Sequence, residues 1–359
     1  MEDHKKQKII FVDQALGAGG AERVLCTLMR SLDKSLFDIE CIIITGDGPL
    51  SYLIPDYVTV KKLHIRNTRK ALPGVIRVLR NAKPDTVFCS SPRIAVLLVM
   101  ARLMVNNFRL ISRYPSMPSI EIQTGAVNGW RLFLTKIVFR YVNLVIAQTE
   151  EMAHELADIY HIDTNKLLVV HNPVDKIYID QCLENTTNPF SRDNINVVVV
   201  GTTYPVKGHD VLIKAFHKVK AMYPGAVLHI IGRDRENYLS TLQDYVKELQ
   251  LIDSVVFWGH QTNPYRFMQY ADLLVLPSRR EGLPNVLLEA NYIGCKCVAT
   301  DCVPVIRRLL RNDYVVPVES VEALCNAIVL ALSKEGNGTE TNLDVDLSND
   351  SLVKIFDLE

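Results

Sequence analysis

Short runs of apolar residues recur through the first half of the chain, and segments with helical spacing of apolar residues separate them. The runs are rich in valine, isoleucine and leucine, as β-strands usually are. The predicted strands are 8–12, 39–44, 58–63, 86–89, 109–112 and 144–147. Strands that alternate with helices in this way are typical of a parallel sheet with helices on both faces.

The same alternation resumes after a polar stretch at 179–194. The predicted strands there are 195–200, 227–231, 255–258, 273–276 and 296–299. Four consecutive valines at 197–200 indicate a strand that is buried on both faces. The sequence therefore predicts an α/β protein with two facing, Rossmann-like, doubly wound domains. Because such sheets bind ligands at the carboxyl ends of their strands, we expect an interdomain cleft to hold the substrate.

The domain boundaries follow from the polar stretches. The first domain is predicted at 1–178 and the second at 195–340, with 179–194 near the boundary between them. A polar tail that ends in a short helix is predicted at 341–359. The apolar residues of this helix would allow it to cross back and pack on the first domain.

Cysteine usage and hydropathy favour a cytoplasmic protein. Eight cysteines lie mostly in apolar runs, and no secretory signal precedes the first predicted strand. The triplet Cys295, Cys297 and Cys302 lacks the second distant pair that zinc sites usually have, so no metal is expected. The apolar stretch 94–105 is interrupted by Arg102 and is shorter than the roughly 20 residues that cross a bilayer, which predicts a buried helix.

The charge is balanced over the whole chain but not along it. Between residues 61 and 140 there are 15 basic residues against only Asp85 and Glu121. Such a surface attracts anions, and no nucleic-acid motif accompanies it, so an anionic membrane is the expected partner rather than nucleic acid. A predicted helix at 130–140 mixes Trp130, Phe133 and cationic residues, which suits either a membrane surface or ordinary packing on the sheet.

The strongest local motif follows the predicted strand 273–276 and reads as a loop and then a helix. Pro284 suits a first helical turn because it has no N–H to leave unpaired, and the backbone N–H groups next to it predict a phosphate site at Pro284-Asn285-Val286. Glu281 in the loop and Glu289 on the helix are eight residues apart, about two helical turns. Both carboxylates could therefore accept hydrogen bonds from the hydroxyl groups of one sugar ligand. The alternative is a helix-capping acid and a solvated glutamate.

Two further loops follow predicted strands. Lys207 lies in the loop 201–210, where its ammonium could stabilise the charge of a leaving diphosphate, the alternative being an ordinary surface lysine. The loop 16–23 contains Gly17, Gly19 and Gly20, which permit close backbone approach to a phosphate or a sugar. Its glycine spacing differs from G-x-G-x-x-G, which argues against a dinucleotide site.

Together these loops resemble the retaining family 4 glycosyltransferases of the GT-B fold. That family shows Gly-Gly-Ala-Glu-Arg near the start and Glu-Gly-x-Pro-x-x-x-x-Glu-Ala late, and this chain has both, with Asn172-Pro173-Val174-Asp175 and Lys207-Gly208 between them. The resemblance implies catalytic roles for Glu281 and Lys207. The donor-binding residues that it implies are Glu289, Gly282, Leu283, Pro284, Asn285, Val286, Gly201, Thr202, Gly19 and Gly20.

The chain departs from the family pattern at two places. Thr202 stands where many relatives have an arginine beside the diphosphate, and Arg279, Arg280 and Arg113 are the candidate replacements. The histidine that many relatives place after the fourth or fifth strand is missing, and Arg113 and Tyr114 occupy that loop as candidate donor or acceptor contacts.

The resemblance implies transfer of a hexose or N-acetylhexosamine from a nucleotide diphosphate sugar, with UDP favoured, to a lipid-linked oligosaccharide in surface polysaccharide biosynthesis. The anomeric configuration is retained, and neither a cofactor nor a metal is needed. The enzyme would work as a peripheral protein at the inner face of the cell membrane. The alternatives are a nucleotide-sugar epimerase of the same fold, a non-catalytic nucleotide-sugar-binding subunit and, with least support, a nicotinamide dehydrogenase.

Overall fold

A computed structural model describes residues 6–17, 19–105, 107–123, 125, 127–334, 355 and 356. The described residues form two compact units. The first runs to Pro173 and includes Ile355 and Phe356, and the second starts at Val174. The predicted tail at 341–359 lies outside the described residues except for Ile355 and Phe356, and its last helix stays a prediction.

The first unit contains a parallel sheet of seven strands within the described residues. The strands are β1 (Gln7–Asp13), β2 (Phe37–Ile43), β3 (Thr59–Lys62), β4 (Thr86–Cys89), β5 (Arg109–Arg113), β6 (Leu144–Ala147) and β7 (Leu167–Val169). Their order is β3-β2-β1-β4-β5-β6-β7, and every pair is parallel. The six strands predicted in this half are present, and β7 is an edge strand that the sequence did not indicate.

Helices cover both faces of this sheet. They are α1 (Gly20–Ser31), α2 (Leu72–Ala82), α3 (Pro92–Arg102), α4 (Pro118–Gln123), α5 (Gly129–Phe139) and α6 (Glu150–Tyr160). A buried apolar cluster lies between one face and helices that include α2, α3, α5 and α6. On the other face, Phe11 and Phe88 pack against Phe356, with ring centroids 5.8 Å from it.

The second unit contains a parallel sheet of six strands within the described residues. The strands are β8 (Ile195–Val200), β9 (Ala226–Ile231), β10 (Val255–Gly259), β11 (Leu273–Leu276), β12 (Cys297–Thr300) and β13 (Val315–Val316). Their order is β10-β9-β8-β11-β12-β13. The helices are α7 (Lys176–Leu183), α8 (His209–Met222), α9 (Tyr238–Glu248), α10 (Tyr265–Tyr270), α11 (Asn285–Ile293), α12 (Ile306–Leu309) and α13 (Val321–Ser333).

The strand order places a switch point in each sheet. The chain runs outward from β1 to β3 and returns to β4 on the other side of β1, and the same reversal separates β8 from β11. At such a point the loops that leave the two strands diverge to opposite faces, which opens a crevice at the carboxyl ends. Three of the predicted motif loops follow strands at these points: 14–19 after β1, 201–208 after β8 and 277–284 after β11.

The stretch 94–105 forms a helix that ends at Arg102, and one face of it is buried. The predicted buried helix is thus present, and Met100, Leu103 and Met104 are its exposed apolar residues and those just after it. Within the described ranges, the structure contains no helix with the length and hydropathy of a membrane span.

Candidate functional site

The loop after β11 positions Glu281. Ser278 is fully buried, and its carbonyl oxygen accepts a hydrogen bond from the Thr300 hydroxyl on the neighbouring strand β12. The Ser278 hydroxyl donates to Glu281 Oε1 at 2.7 Å. Lys207 Nζ donates to the same oxygen, also at 2.7 Å. The carboxylate is therefore held by a buried serine on its own loop and by a lysine from the loop after β8.

Gly208 explains how the two loops come so close. It has a positive φ of 67°, and a Cβ at this position would overlap the Pro277 carbonyl oxygen. The amide of Arg279 donates to the Val206 carbonyl oxygen at 2.8 Å, which joins the loops directly. Glycine at 208 thus allows the contact that brings together Lys207 and Glu281, 74 residues apart in the chain.

Arg279 stabilises this pair of loops from the outside. Its guanidinium donates two hydrogen bonds to Asp210, at 2.8 and 2.7 Å, and further bonds to Glu319 and to the Pro205 carbonyl oxygen. The hydrogen bond with Asp210 raises the pKa of Arg279 and helps to hold the pKa of Asp210 below its usual range. All three guanidinium nitrogens are engaged, so a phosphate would have to displace these partners before Arg279 could replace the missing family arginine.

The helix after the acidic loop begins one residue later than predicted. Pro284 is the N-cap of α11 and has no side-chain capping bond, and Asn285 is the first helical residue. Glu289 accepts a hydrogen bond from the Tyr265 hydroxyl at 3.3 Å. Leu283 is buried, so only its backbone could face a ligand, whereas Val286 is partly exposed. The side chain of the N-cap residue therefore does not occupy this helix N-terminus, where the motif predicts a phosphate.

The loop after β8 is supported by the loop after β9. The Gly201 amide donates to the Ile231 carbonyl oxygen at 2.9 Å. A Cβ at Gly232 would overlap the Gly201 carbonyl oxygen, so these two strand ends approach through backbone alone. Thr202 is partly exposed beside this contact. The effect on diphosphate binding of Thr202, in place of the family arginine, stays a prediction.

The glycine loop of the first unit leads directly into α1. Gly20 is the first residue of the helix, and Gly19, its N-cap, makes no side-chain capping bond. A Cβ at Gly17 would lie 3.2 Å from Glu22 Oε1, and one at Gly19 would overlap Oε2. The Glu22 carboxylate therefore fills the space above the loop. The sequence did not single out this residue as a site residue.

Arg113 is buried at the end of β5. Its Nη2 donates to the Asn172 side-chain oxygen, and Asn172 Nδ2 donates to Gln148 Oε1 at 3.0 Å. Gln148 Nε2 donates in turn to the Tyr114 carbonyl oxygen at 2.8 Å. Burial lowers the pKa of Arg113 to about 10, and the charge of Glu22 opposes that shift. Asn172 and Gln148 thus fix the guanidinium, and only the first of them belongs to a motif that the sequence indicated.

Tyr114 lies in the core of the first unit. Its hydroxyl donates to Glu121 Oε2 at 2.7 Å and lies 2.7 Å from the Tyr160 hydroxyl. Burial, and after it the nearby Glu121 charge, raises its pKa. Consecutive residues at a strand end point to opposite faces, which separates this ring from the Arg113 guanidinium. A ligand contact through Tyr114 stays a prediction.

The cysteine triplet contains free thiols. Cys297 Sγ donates to the Cys295 carbonyl oxygen at 3.2 Å, and burial raises the pKa of Cys302 to about 12, with the Glu281 charge adding to it. Over the described ranges no three histidine, cysteine or acidic side chains are grouped as a metal site would require. The expectation of metal-independent chemistry stays a prediction.

Comparison with protein families covers nearly the whole chain. Residues 18–176 match the model described as Glycosyltransferase Family 4, and residues 184–348 match the model described as Glycosyl transferases group 1. The first match contains β2 to β7 of the first sheet, and the second contains all six strands of the second sheet.

Individual relatives give the same result. The chain is 27% identical over 324 residues to N-acetylgalactosamine-N,N'-diacetylbacillosaminyl-diphospho-undecaprenol 4-alpha-N-acetylgalactosaminyltransferase of Campylobacter jejuni, with 86% of this chain and 84% of that enzyme covered. It is also 27% identical over 279 residues to an uncharacterised glycosyltransferase of Methanocaldococcus jannaschii. That match covers 75% of this chain and 66% of the relative, so the chain spans about two thirds of that protein.

The fold resembles that of the crystal structure of Anabaena HepE in complex with UDP and glucose. The TM-score is 0.76 at 18% sequence identity, and the match covers 96% of this chain and 95% of that one. The predicted GT-B fold class is thereby confirmed. The chain is an enzyme of the glycosyltransferase class, and it belongs to the family that the Family 4 and group 1 models describe.

Proposed function

We propose that this glycosyltransferase moves a hexose or an N-acetylhexosamine from a UDP-sugar to a lipid-linked oligosaccharide, with retention of the anomeric configuration, during synthesis of a surface polysaccharide. The observation that carries the proposal is the contact between Lys207 and Glu281 at the switch point of the second sheet. Support for UDP and for the acceptor comes from the relatives. The Campylobacter enzyme is named for a diphospho-undecaprenol acceptor, and HepE was crystallised with UDP and glucose.

The charges in the second unit suit a nucleotide diphosphate sugar. Transfer breaks the bond between the sugar and the diphosphate, and negative charge grows on the leaving oxygen. Lys207 is partly exposed and has three N–H donors, of which one is bound to Glu281, so two can address phosphate oxygens. The N-terminus of α11, which follows the loop that carries Glu281, adds partial positive charge at the same edge. These groups stabilise the departing diphosphate.

Glu281 suits the sugar. Both hydrogen bonds that described residues make to this carboxylate end on Oε1. Oε2 can therefore accept a hydrogen bond from a donor sugar hydroxyl while the carboxylate stays oriented by Lys207 and Ser278. Because both partners hold it in place before the sugar binds, little reorganisation is needed at the moment of transfer.

The acceptor side of the proposal includes a membrane contact through the basic region 61–140. On α5, Trp130, Phe133 and Ile137 are 53%, 66% and 37% exposed, and their spacing places them on one outer stripe of the helix. The guanidinium groups of Arg69 and Arg131 lie 5.8 and 5.6 Å from the Trp130 ring. Exposed apolar rings flanked by cations fit the interface of an anionic lipid surface. We therefore propose a peripheral enzyme at the inner face of the membrane.

The donor assignment is tested with Glu281→Gln and Lys207→Met. Each variant should lower sugar transfer by about 100-fold or more, because each removes one preorganised electrostatic contact. Transfer is measured from radiolabelled UDP-sugars to a bacterial membrane lipid fraction that contains undecaprenyl-diphosphate-linked glycans. Lys218→Met is the matched control, because Lys218 lies on α8 and forms an exposed ion pair with Glu322. Transfer within about threefold of wild type in both site variants would falsify the assignment.

The membrane contact is tested with Phe133→Glu. Replacing an exposed ring on the proposed contact face by a charge should weaken binding to phosphatidylglycerol vesicles by about tenfold or more, since it removes apolar burial and adds repulsion. Ile252→Glu is the control, because Ile252 is equally exposed but lies in the second unit. Vesicle cosedimentation is the measurement, and equal loss in both variants contradicts a localised contact.

A further inference from the structure

Arg233 lies just beyond the carboxyl end of β9, in the loop beside the one that carries Lys207. The parallel pairing of β8 with β9 continues past both strands as a bridge between Thr203 and Asp234, in unchanged register. Thr202 and Arg233 immediately precede these two residues, so they lie opposite each other with their backbones about 5 Å apart. Arg233 is therefore the neighbour of the position at which this chain has a threonine in place of the family arginine.

The side chains of Thr202 and Arg233 lie on one face of this paired segment. Two residues later on the two segments are Tyr204 and Arg235, and the Arg235 guanidinium lies 4.5 Å from the centroid of the Tyr204 ring. Side chains two residues apart on an extended chain point to the same face. The Arg233 guanidinium and the Thr202 hydroxyl are therefore neighbours on the face where Arg235 meets Tyr204.

That face is the one that α10 and α11 cover. His229 is four residues before Arg233, so its side chain shares the face, and its ring lies 4.3 Å from the ring of Phe190. Phe190 in turn contacts Phe267 on α10, and α10 packs against α11. The loop that carries Glu281 leads into α11. Arg233 thus projects from the carboxyl edge of the second sheet on the side to which the Glu281 loop runs.

Backbone contacts fix the position of Arg233. The Thr203 amide donates to the Arg233 carbonyl oxygen at 2.9 Å, and the Arg235 amide donates to the Thr203 carbonyl oxygen at 3.1 Å. A Cβ at Gly232 would overlap the Gly201 carbonyl oxygen, so glycine permits the close approach of the two loops. The guanidinium therefore extends from a backbone that is already held beside the loop after β8.

The charge of Arg233 is available to a ligand. Its side chain is exposed, and among the residues that the structure describes its guanidinium has no hydrogen bond or ion pair. Lys207 and Arg279 at the same edge are paired with acids, so an anion must share them or compete for them. A guanidinium can donate two parallel hydrogen bonds to two oxygens of a phosphate group, which makes arginine well suited to a diphosphate.

We propose that Arg233, together with the Thr202 hydroxyl, binds the diphosphate of the nucleotide-sugar donor. The inference rests on the proposed function, since the diphosphate belongs to that donor. The short side chain of Thr202 leaves room for the guanidinium that reaches across from the neighbouring loop. Because the two residues share a face and a register, an arginine at position 202 would place its guanidinium in the same space.

The experiment exchanges the arginine between the two positions and measures the Kd of UDP and GDP for the full chain by calorimetry. Arg233→Gln should raise the Kd of the nucleotide that binds by about tenfold or more, because a charge-assisted contact is lost. Adding Thr202→Arg to Arg233→Gln should restore the Kd to within about threefold of wild type, which a merely structural role of Arg233 would not allow. Thr202→Arg alone should also bind within about threefold of wild type, which checks that position 202 accepts an arginine.

Two further variants serve as controls. Arg235→Gln removes an exposed charge two residues away whose guanidinium already lies against Tyr204 and Glu236, and it should change the Kd less than about threefold. Arg280→Gln tests the other arginine of this edge that has no ion pair within the described ranges. It should have a smaller effect than Arg233→Gln, and Thr202→Arg should not compensate for it, because Arg280 lies in the loop after β11.

Three results overturn the inference: an unchanged Kd in Arg233→Gln, equal losses of affinity in Arg233→Gln and Arg235→Gln, or no recovery on adding Thr202→Arg when Thr202→Arg alone binds normally. Wild-type protein that binds neither UDP nor GDP would overturn both the inference and the proposed donor. Failure of the proposed function alone has a different signature. The wild-type enzyme would then bind a nucleoside diphosphate through Arg233 but transfer no sugar.

Discussion

The carboxyl edges of the two sheets share a strand order but differ in how they hold charge. At the second edge, Lys207 is paired with Glu281 and Arg279 with Asp210, and all four side chains keep some exposure to solvent. At the first edge, Arg113 is almost fully buried and hydrogen-bonded to a neutral amide oxygen, and the described residues give it no salt bridge.

The difference shows that the strand order of a sheet does not determine how the charged side chains at its edge are paired or buried. The switch point of a doubly wound sheet gathers loop residues at one edge in both units. Paired and partly exposed charges can exchange partners with a charged ligand at little cost, which suits a diphosphate. A buried cation that is held by a neutral amide oxygen has no carboxylate partner to exchange, so the first edge is less suited to bind a diphosphate.

The largest expected effect comes from Asp13→Asn. The folded-state pKa of Asp13 is raised to about 7 from an ordinary value of 3.8, so the stability that its protonation provides is present below about pH 4 and is lost as the pH rises to about 7. Asparagine keeps the shape and cannot ionise. The stability of the variant relative to wild type should therefore increase by about 4 kcal/mol between pH 4 and pH 8.

The measurement is urea unfolding of the first unit at both pH values. The chain has two tryptophans, Trp130 in the first unit and Trp258 in the second, so a Trp258→Phe background makes fluorescence report on the first unit alone. A pH-independent difference between Asp13→Asn and its parent would contradict the buried, uncompensated state of the first edge.

A smaller effect is expected from Gly208→Ala. The substitution places a side chain at a positive φ and against the Pro277 carbonyl oxygen, and it should lower the free energy of unfolding of the second unit by about 3 kcal/mol. Gly201→Ala is the control, because no heavy atom outside the adjacent residues lies within 4 Å of its added Cβ, and it should cost less than about 1 kcal/mol. Trp258 fluorescence in a Trp130→Phe background reports the result. Similar losses in both variants would mean that the approach of the two loops does not depend on Gly208.

The smallest effect is expected from Arg279→Lys. Lysine keeps the charge but loses the two-pronged contact with Asp210, so the second unit should lose about 1 kcal/mol of stability. Arg307→Lys, at the more exposed pair with Asp301, should lower the stability less than Arg279→Lys does, because solvent screens that pair. Equal stability changes in the two variants, measured by urea unfolding, would show that the second edge gains nothing from the geometry of its paired charges.

The sequence predicted the parts of the fold that depend on local pattern. The β-rich runs, their alternation with helices and the loops after β1, β8 and β11 were all readable, because each depends on neighbouring residues. The strands β7 and β13 have only three and two residues, which is too short to produce a recognisable pattern.

The contacts of the candidate sites were less readable. The Lys207–Glu281 pair depends on two loops 74 residues apart, and the positive φ of Gly208 has no signal beyond the glycine itself. Arg113 and Tyr114 looked equivalent as neighbours in one loop, but strand geometry sends them to opposite faces. Their partners, Asn172 and Tyr160, come from distant segments that only the folded chain brings together.

Phe356 has a consequence for how the chain is made. Its ring completes the cluster with Phe11 and Phe88, and the Ile355 carbonyl oxygen accepts a hydrogen bond from Arg109, so the first unit needs residues encoded after the entire second unit. On the ribosome, the second unit can emerge and condense while the amino-terminal sheet still exposes part of its aromatic surface. The first unit is therefore synthesised first, but the core of the second unit can be completed earlier.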